Sequence, residues 1–397
     1  MEKVSVILVN YNSSEDSIHC IKSLINQNYP YISVILVDNS ESEEYINEIH
    51  EKLKDFHSNV SKISEEDFKE LNFNKDIILI KASENKGFSG GNNIGIKLAR
   101  ENKADFIWIL NNDTEVEKNT IEEMLKTSSK YNAQLVICKI NNFYDRDKVQ
   151  YYGETVSYQG EYSDFEDKIK KPSLISGCNL FLKSSVFEKT GLLDEDYFLY
   201  FEDNDFYHKI IKNDIPYIYT PHTKIYHKGG SSIGKYMATP LSAYYGTRNA
   251  FLILKKLDLY EYQDVLKQTL INFLKNQKKK EIIKAILLGV YDFIQGKIGR
   301  QDKLDYYLNL KLDKSRIDIN NRDLEQIYKK HFTNINLNEL LAEKYKNKPE
   351  RAIEYIFMLA LLNPRKKEYY EAFFKTIEKI FESSEEKENG KSISMHN

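Results

Sequence analysis

The sequence predicts an α/β fold: a mostly parallel sheet with helices on both faces, followed by a helical C-terminal region. Two observations predict it. Short apolar, β-branched runs alternate with amphipathic stretches through the first 245 residues, and from Tyr244 onward the pattern is almost wholly helical. The 397 residues, 41% hydrophobic and 13% aromatic, suffice for one large core or two smaller ones.

The first strand is read at VSVILV from Val4, followed by an amphipathic helix over 14–27 with Ile18, Ile21, Leu24 and Ile25 at helical spacing. SVILV from Ser33, then 77–80 and 106–110, repeat the buried-strand pattern, with helices near 44–53 and 93–100 between them. Two polar stretches, 55–76 and 145–172, read as surface insertions because they lack sustained apolar periodicity. The segment 340–380 reads as one or two helix-turn-helix units of tetratricopeptide type, and 383–397 as a loose polar tail. The expected divisions are therefore 1–245, a basic helical extension 246–300, a helical domain 301–382 and the tail.

The net charge is −3, from 57 basic and 60 acidic side chains, too balanced to suggest nucleic-acid binding. Its distribution is uneven: residues 1–249 carry 29 basic and 38 acidic groups, residues 250–397 carry 28 and 22. No apolar run approaches the roughly 18–20 residues needed to cross a bilayer, and the N-terminal residues show no signal pattern, so the expectation is a cytoplasmic protein. Between Lys255 and Arg300 lie ten basic and five acidic residues, with Leu266, Leu270, Phe273 and Leu274 at helical spacing nearby. Such a helix suits either an anionic membrane surface or ordinary packing beneath a charged face. Cys20, Cys138 and Cys178 have no disulfide or metal spacing and are expected as buried small hydrophobes.

In parallel α/β sheets ligands bind beyond the carboxyl ends of the strands, so the residues there carry the functional reading. Asn10, Tyr11 and Asn12 follow the first strand and Asp38 ends the second. A ring beside a carboxylate can stack on a pyrimidine and accept its N–H, although Asp38 and Asn12 serve equally well as helix caps. Asn85, Lys86, Gly87, Gly90 and Asn92 belong to a glycine-rich stretch that opens a helix, where backbone N–H groups attract phosphate. Asn111, Asn112 and Asp113 follow the fourth strand, and a lone carboxylate there can share Mg²⁺ with a diphosphate. Six carboxylates stand among the twelve residues 194–205, interleaved with five apolar or aromatic ones; burial and like charge in such a segment raise a carboxylate's pKa and suit it to proton transfer. His227 precedes a glycine pair and is a candidate metal ligand.

In order and spacing, VSVILVNYN, VDNS, NKGFSGGNN, LNNDT, SGCNLFLKSSVFEKTGLLDEDYFLYFEDNDF and YHKGGSS resemble the family 2 glycosyltransferases, in particular the rhamnosyltransferase-like branch. The likeness continues more faintly through YGTRN at 245–249 and through 285–300. It implies a GT-A fold and inverting transfer of rhamnose or another hexose from a dTDP- or UDP-sugar to a hydroxyl of a cell-surface polysaccharide or lipid-linked glycan. By position, Asp38 contacts the nucleobase with Tyr11 beside it, and residues 86–92 line the donor. Asp113 and His227 hold Mg²⁺ or Mn²⁺, and Asp203 is the general base with Glu202 beside it. Asp194, Glu195 and Arg248 are assigned to the acceptor. Asn111 stands where many relatives have aspartate, and brings hydrogen bonds for donor hydroxyls but no charge for the metal. The likeness also favours peripheral contact with the inner face of the cell membrane, and the C-terminal helices suit homo-oligomerisation.

Two other readings compete. A nucleotidyltransferase would place a glycine-rich, basic loop directly after the first strand, where this chain has Asn10-Tyr11-Asn12. A non-catalytic interaction protein working through its helical tail would have no use for the Glu202–Asp203 pair, which is present.

Overall fold

The structure, a computed structural model, describes residues 1–151, 170–173, 175–229 and 237–302, together with 304, 357, 360, 371–374 and 377. The chain divides into two compact units, Met1–Lys235 and Tyr236–Asn397.

In the first unit the strands are β1 (Val4–Asn10), β2 (Ile32–Asp38), β3 (Val60–Ser64), β4 (Asp76–Lys81), β5 (Phe106–Leu110), β6 (Thr114–Val116), β7 (Leu135–Asn142), β8 (Val149–Tyr151), β9 (Asn179–Lys183) and β10 (Tyr217–His227). They form one sheet in the order β3-β4-β2-β1-β5-β9-β7-β10-β6, with β8 added on β7. The half from β3 to β5 is wholly parallel. Beyond it the sheet is mixed: β9 runs antiparallel to both neighbours, β6 is antiparallel to β10, and β7 pairs parallel with β10. Parallel strands need a crossover, supplied here by α1 (Ser14–Ile25), α2 (Glu44–Lys54) and α3 (Gly87–Glu101); α4 (Thr120–Tyr131), α5 (Val186–Thr190) and α6 (Glu202–Lys212) complete the unit. β1, β2 and β5 are buried on both faces, which explains their unbroken apolar runs.

The structure corrects three expectations. The stretch 55–76 contains β3, an edge strand parallel to β4 whose Val60 and Ile63 alone reach the core, too few to give a periodic signal. The stretch 145–172 contributes β8 and a bridge from Lys170 to Tyr219; its residues 152–169 lie outside the described residues. The third helix begins at Gly87 rather than near residue 93, so the glycine-rich stretch is its first turns.

In the second unit α7 (Pro240–Lys256) starts on a reciprocal cap between Thr239 and Ser242, with Pro240 in the first turn. It is followed by α8 (Gln263–Asn276) and α9 (Lys280–Ile294). α9 is secured to α7 by the Tyr244 hydroxyl, which donates to the buried Asp292 carboxylate at 2.8 Å, and by stacking of Phe251 on Phe293. Of the apolar stripe considered for a membrane, Leu270 and Leu274 are buried and Leu266 and Phe273 half-buried, while Lys278, Lys279 and Lys280 are exposed. No helix among the described residues is long and apolar enough to cross a membrane. The tetratricopeptide-like segment, apart from isolated positions, and the tail lie outside the described residues.

Candidate active site

The register of β1 on β2 sets Asn10 beside Asp38 at the carboxyl ends of the strands. Both are fully buried, and Asn10 donates to Asp38 Oδ1 at 2.7 Å. Ser40 Oγ donates to the same oxygen at 2.6 Å, and Lys81 pairs with Oδ2 at 3.0 Å. The backbone N–H of Asn12, itself at φ 55, donates to Ser40 Oγ, and Asn112 donates to Asn10 Oδ1 and Ser17 Oγ. Four strand-end segments are thus tied into one polar floor, with the half-exposed ring of Tyr11 beside it.

α3 is held to this floor by Asn39, whose amide donates to the Gly87 carbonyl at 2.7 Å, while Asn85 Oδ1 accepts the Gly87 N–H at 3.0 Å. Gly87 sits at φ +68, and a Cβ there would stand 2.1 Å from the Phe198 carbonyl oxygen, so both conformation and space require glycine. Phe88 N–H donates to that same carbonyl at 2.8 Å. Gly90 and Asn92 lie inside the helix, and the Asn92 amide turns back to the Phe88 carbonyl. Lys86 is paired with Glu65, which also accepts from Ser83.

The contact at Gly87 brings the acidic-aromatic segment against the start of α3. Phe198, Tyr200 and Phe201 have φ of 62, 70 and 73, left-handed values that cost non-glycine residues about 1–2 kcal/mol each and that gather at functional sites. The segment turns directly into α6, whose first residues are Glu202 and Asp203. Asp203 accepts from Gly177 N–H at 3.1 Å and from the backbone and amide of Asn204 at 2.8 and 2.9 Å. Burial nevertheless raises its carboxyl above the usual range. Glu202 is buried, and burial reinforced by the Asp203 charge raises it as well.

On the other flank, Asp113 Oδ1 lies 3.2 Å from His227 Nε2, and Oδ2 accepts the Gly229 N–H at 2.9 Å. Burial alone would raise the Asp113 carboxyl; the His227 ring and the Gly229 N–H outweigh it and hold it below its ordinary value. Gln150 Oε1 lies 3.2 Å from His227 Nδ1, and Gln150 donates to the His227 carbonyl, which fixes the ring. Asn111 Nδ2 lies 3.3 Å from His227 Nε2. Among the described residues no group of three or more His, Cys, Asp and Glu side chains is assembled for a metal. One carboxylate and one imidazole nevertheless fit a cation that takes its remaining oxygens from substrate phosphates and water.

The strand-entry segment 176–178 joins the two flanks. Cys178 carbonyl accepts the Asn111 N–H at 3.1 Å, and the neighbouring Gly177 holds Asp203. Burial pushes the Cys178 thiol up to about 12, and the charges of Asp113 and Asp203 add to that rise.

Of the residues assigned to the acceptor, Asp194 caps the short turn at 195–197 by accepting from Asp196 N–H, and Glu195 accepts from Asn93 of α3 at 2.8 Å. Arg248 belongs to the second unit, where it is buried and donates to the Gly299 carbonyl at 2.6 Å and to Asn249. Sequence reasoning passed over Lys81, Glu65, Gln150 and Lys228. Glu65 and Gln150 lie in the two stretches read as insertions and carry no local signal. Lys81 ends β4 and Lys228 follows His227, already a candidate ligand in the sequence, and those neighbours were the available clue.

The first unit thus carries a polar floor at its strand ends, a helix opened by glycine, an Asp113–His227 pair and a Glu202–Asp203 pair. Residues 5–189 match the family model described as glycosyl transferase family 2. It is 24% identical over 323 residues to the low-salt glycan biosynthesis hexosyltransferase Agl10 of Haloferax volcanii, an alignment covering 77% of this chain and 95% of that protein. It is also 24% identical over 314 residues to the dTDP-rhamnosyl transferase RfbF of Shigella flexneri, covering 75% and 97%. Among solved structures, S. aureus TarS aligns over 77% of this chain at 16% identity with a TM-score of 0.45, and this chain spans 50% of that one's length.

Proposed function

We propose that the protein is an inverting hexosyltransferase that moves rhamnose or another hexose from a dTDP- or UDP-sugar to a hydroxyl of a cell-surface polysaccharide or lipid-linked glycan. The observation that carries this reading is that the segment 176–178 holds both Asn111, two residues before Asp113, at the Cys178 carbonyl and Asp203 at the Gly177 N–H. The Shigella relative, a dTDP-rhamnosyl transferase, supports a thymidine-linked donor, and both relatives support a hexose.

In this reading the nucleobase and ribose lie on the floor formed by Asn10, Tyr11, Asn12, Asp38 and Asn112, with Lys86 and the start of α3 along the donor. Asp113 and His227 would hold Mg²⁺ or Mn²⁺, which would supply positive charge to the diphosphate. Asp203, its basicity raised by burial, takes the proton of the acceptor hydroxyl as that oxygen attacks the anomeric carbon. The bond to the diphosphate breaks on the opposite face, and configuration inverts. Base assistance of this kind is worth about 10²–10⁴ in rate. Glu202, raised by burial and by the adjacent charge, orients the acceptor or sustains the basicity of Asp203. Tyr197 and Phe198, both buried, shield the reacting centre from water, which would otherwise hydrolyse the donor. The catalytic domain is taken as 1–245, with Asp194 and Glu195 on the acceptor side, and 246–300 as a helical, basic extension. The exposed lysines at 278–280 suit a peripheral contact with anionic lipid.

A thermal-shift screen of dTDP- and UDP-sugars with and without Mn²⁺ tests the donor, because a ligand of the native state raises the melting temperature. A cation-dependent rise for one class supports the reading. The absence of any rise favours an interaction protein instead.

A further inference from the structure

His227 ends β10, and the next residue has a position of its own. Lys228 N–H donates to the Asp113 carbonyl at 3.0 Å, which anchors its backbone beside the cation pair. From there the side chain reaches across to the first turn of α1, where Nζ meets Asp16 Oδ1 at 2.6 Å and lies over the Phe143 ring at 4.7 Å. Its ammonium is also within Coulombic reach of the Asp113 carboxylate. Lys228 therefore bridges the space between the helix that follows the nucleotide floor and the carboxylate assigned to the cation.

Among the neighbouring cations Lys81 is committed to the fully buried Asp38, while Lys86 and Arg146 pair with Glu65 and Glu115. The Lys228–Asp16 pair is partly exposed, with side chains 22% and 30% accessible, and an ion pair this wet holds its members weakly. The charge inventory also asks for a cation here. Asn111 and Asn112 bring none, so Asp113 is the one carboxylate of its motif, and a diphosphate leaving with both electrons of the broken C–O bond gains negative charge that the site must meet.

We propose that Lys228 exchanges Asp16 for the diphosphate of the donor and is a phosphate-binding residue of the transfer reaction. This rests on the nucleotide-sugar reading above. A lysine serves this role as a mobile point charge with three donors.

The test is isothermal titration calorimetry of the full chain in Mg²⁺ with dTDP and UDP, and with dTMP and UMP as probes that keep the nucleoside and lose the terminal phosphate. Lys228→Gln is expected to weaken diphosphate binding about tenfold or more while leaving monophosphate binding unchanged. Lys228→Arg is expected to stay within about threefold of wild type. Asp16→Asn, which removes the competing carboxylate, is expected to bind the diphosphate at least as tightly as wild type. Equal diphosphate affinity in Lys228→Gln and wild type overturns the inference, as does an equal loss for mono- and diphosphate, which would mark a structural role. Failure of wild type to bind either diphosphate overturns the donor reading itself, and the inference with it.

Discussion

Gly87→Ala tests how tightly the donor loop and the catalytic acids are coupled. The alanine must hold φ near +68, which costs an L-residue about 1–2 kcal/mol. Its Cβ would stand 2.1 Å from the Phe198 carbonyl oxygen and 2.7 Å from a carbon of the Phe198 ring, and the first of these is backbone that cannot rotate away. Relieving the clash means pushing the 198–201 segment off α3 and breaking the hydrogen bond from Phe88 N–H, an overpacking cost of about 1–3 kcal/mol. The two together give a loss of about 2–5 kcal/mol. Because the displaced segment runs straight into Glu202 and Asp203, turnover should fall even where the protein remains folded. Urea unfolding gives the first quantity, and sugar transfer well below the unfolding transition gives the second. A variant within about 0.5 kcal/mol of wild type and fully active would show that the contact at Gly87 neither strains the loop nor positions the acids.

Asp203→Asn is expected to lower transfer about 10²–10⁴-fold while nucleoside diphosphate affinity stays at the wild-type value; calorimetry beside a turnover assay separates the two. Gly229→Ala places a Cβ 2.9 Å from His227 Nε2 and 3.1 Å from Asp113 Oδ2, so Mn²⁺-dependent donor binding should weaken severalfold with little change in melting temperature, as Asp113→Ala should also do. Both carboxyls of the Glu202–Asp203 pair are raised by burial, so the folded protein binds their protons more readily than the unfolded chain. Their contribution to stability is full below the ordinary carboxylate pKa and is lost as pH rises through the raised folded values. Glu202→Gln should flatten that decline in a series of urea titrations; an unchanged slope would mean that Glu202 ionises as freely as it does in water.

Much of the site was legible in the chain because strand ends are where parallel sheets place ligands. Asn10, Asp38, Asn111 and Asp113 each close or follow an apolar run, and the register that unites them follows from burying those runs on both faces. The glycine-rich stretch was legible as well, though not the fact that it is already helical. Glu65 and Gln150 were invisible, because an edge strand with two core residues and a three-residue strand leave no periodic trace.

The sequence by itself determined the alternation of strand and helix, the families of polar residues at the strand ends, and the crowding of carboxylates with aromatics at 194–205. Those are properties of neighbours along the chain, governed by local sterics and by which side chains water rejects. Tertiary structure alone decided which of these acids act together. Asp113 and Asp203 are ninety residues apart, and their neighbourhoods are joined because β9 inserts antiparallel beside β5 and sets the segment 176–178 against both Asn111 and Asp203. Their opposite pKa shifts, downward beside His227 and upward in a dry turn, come from that enclosure, since a carboxylate's proton affinity is set by the charges and the water around it rather than by its place in the sequence.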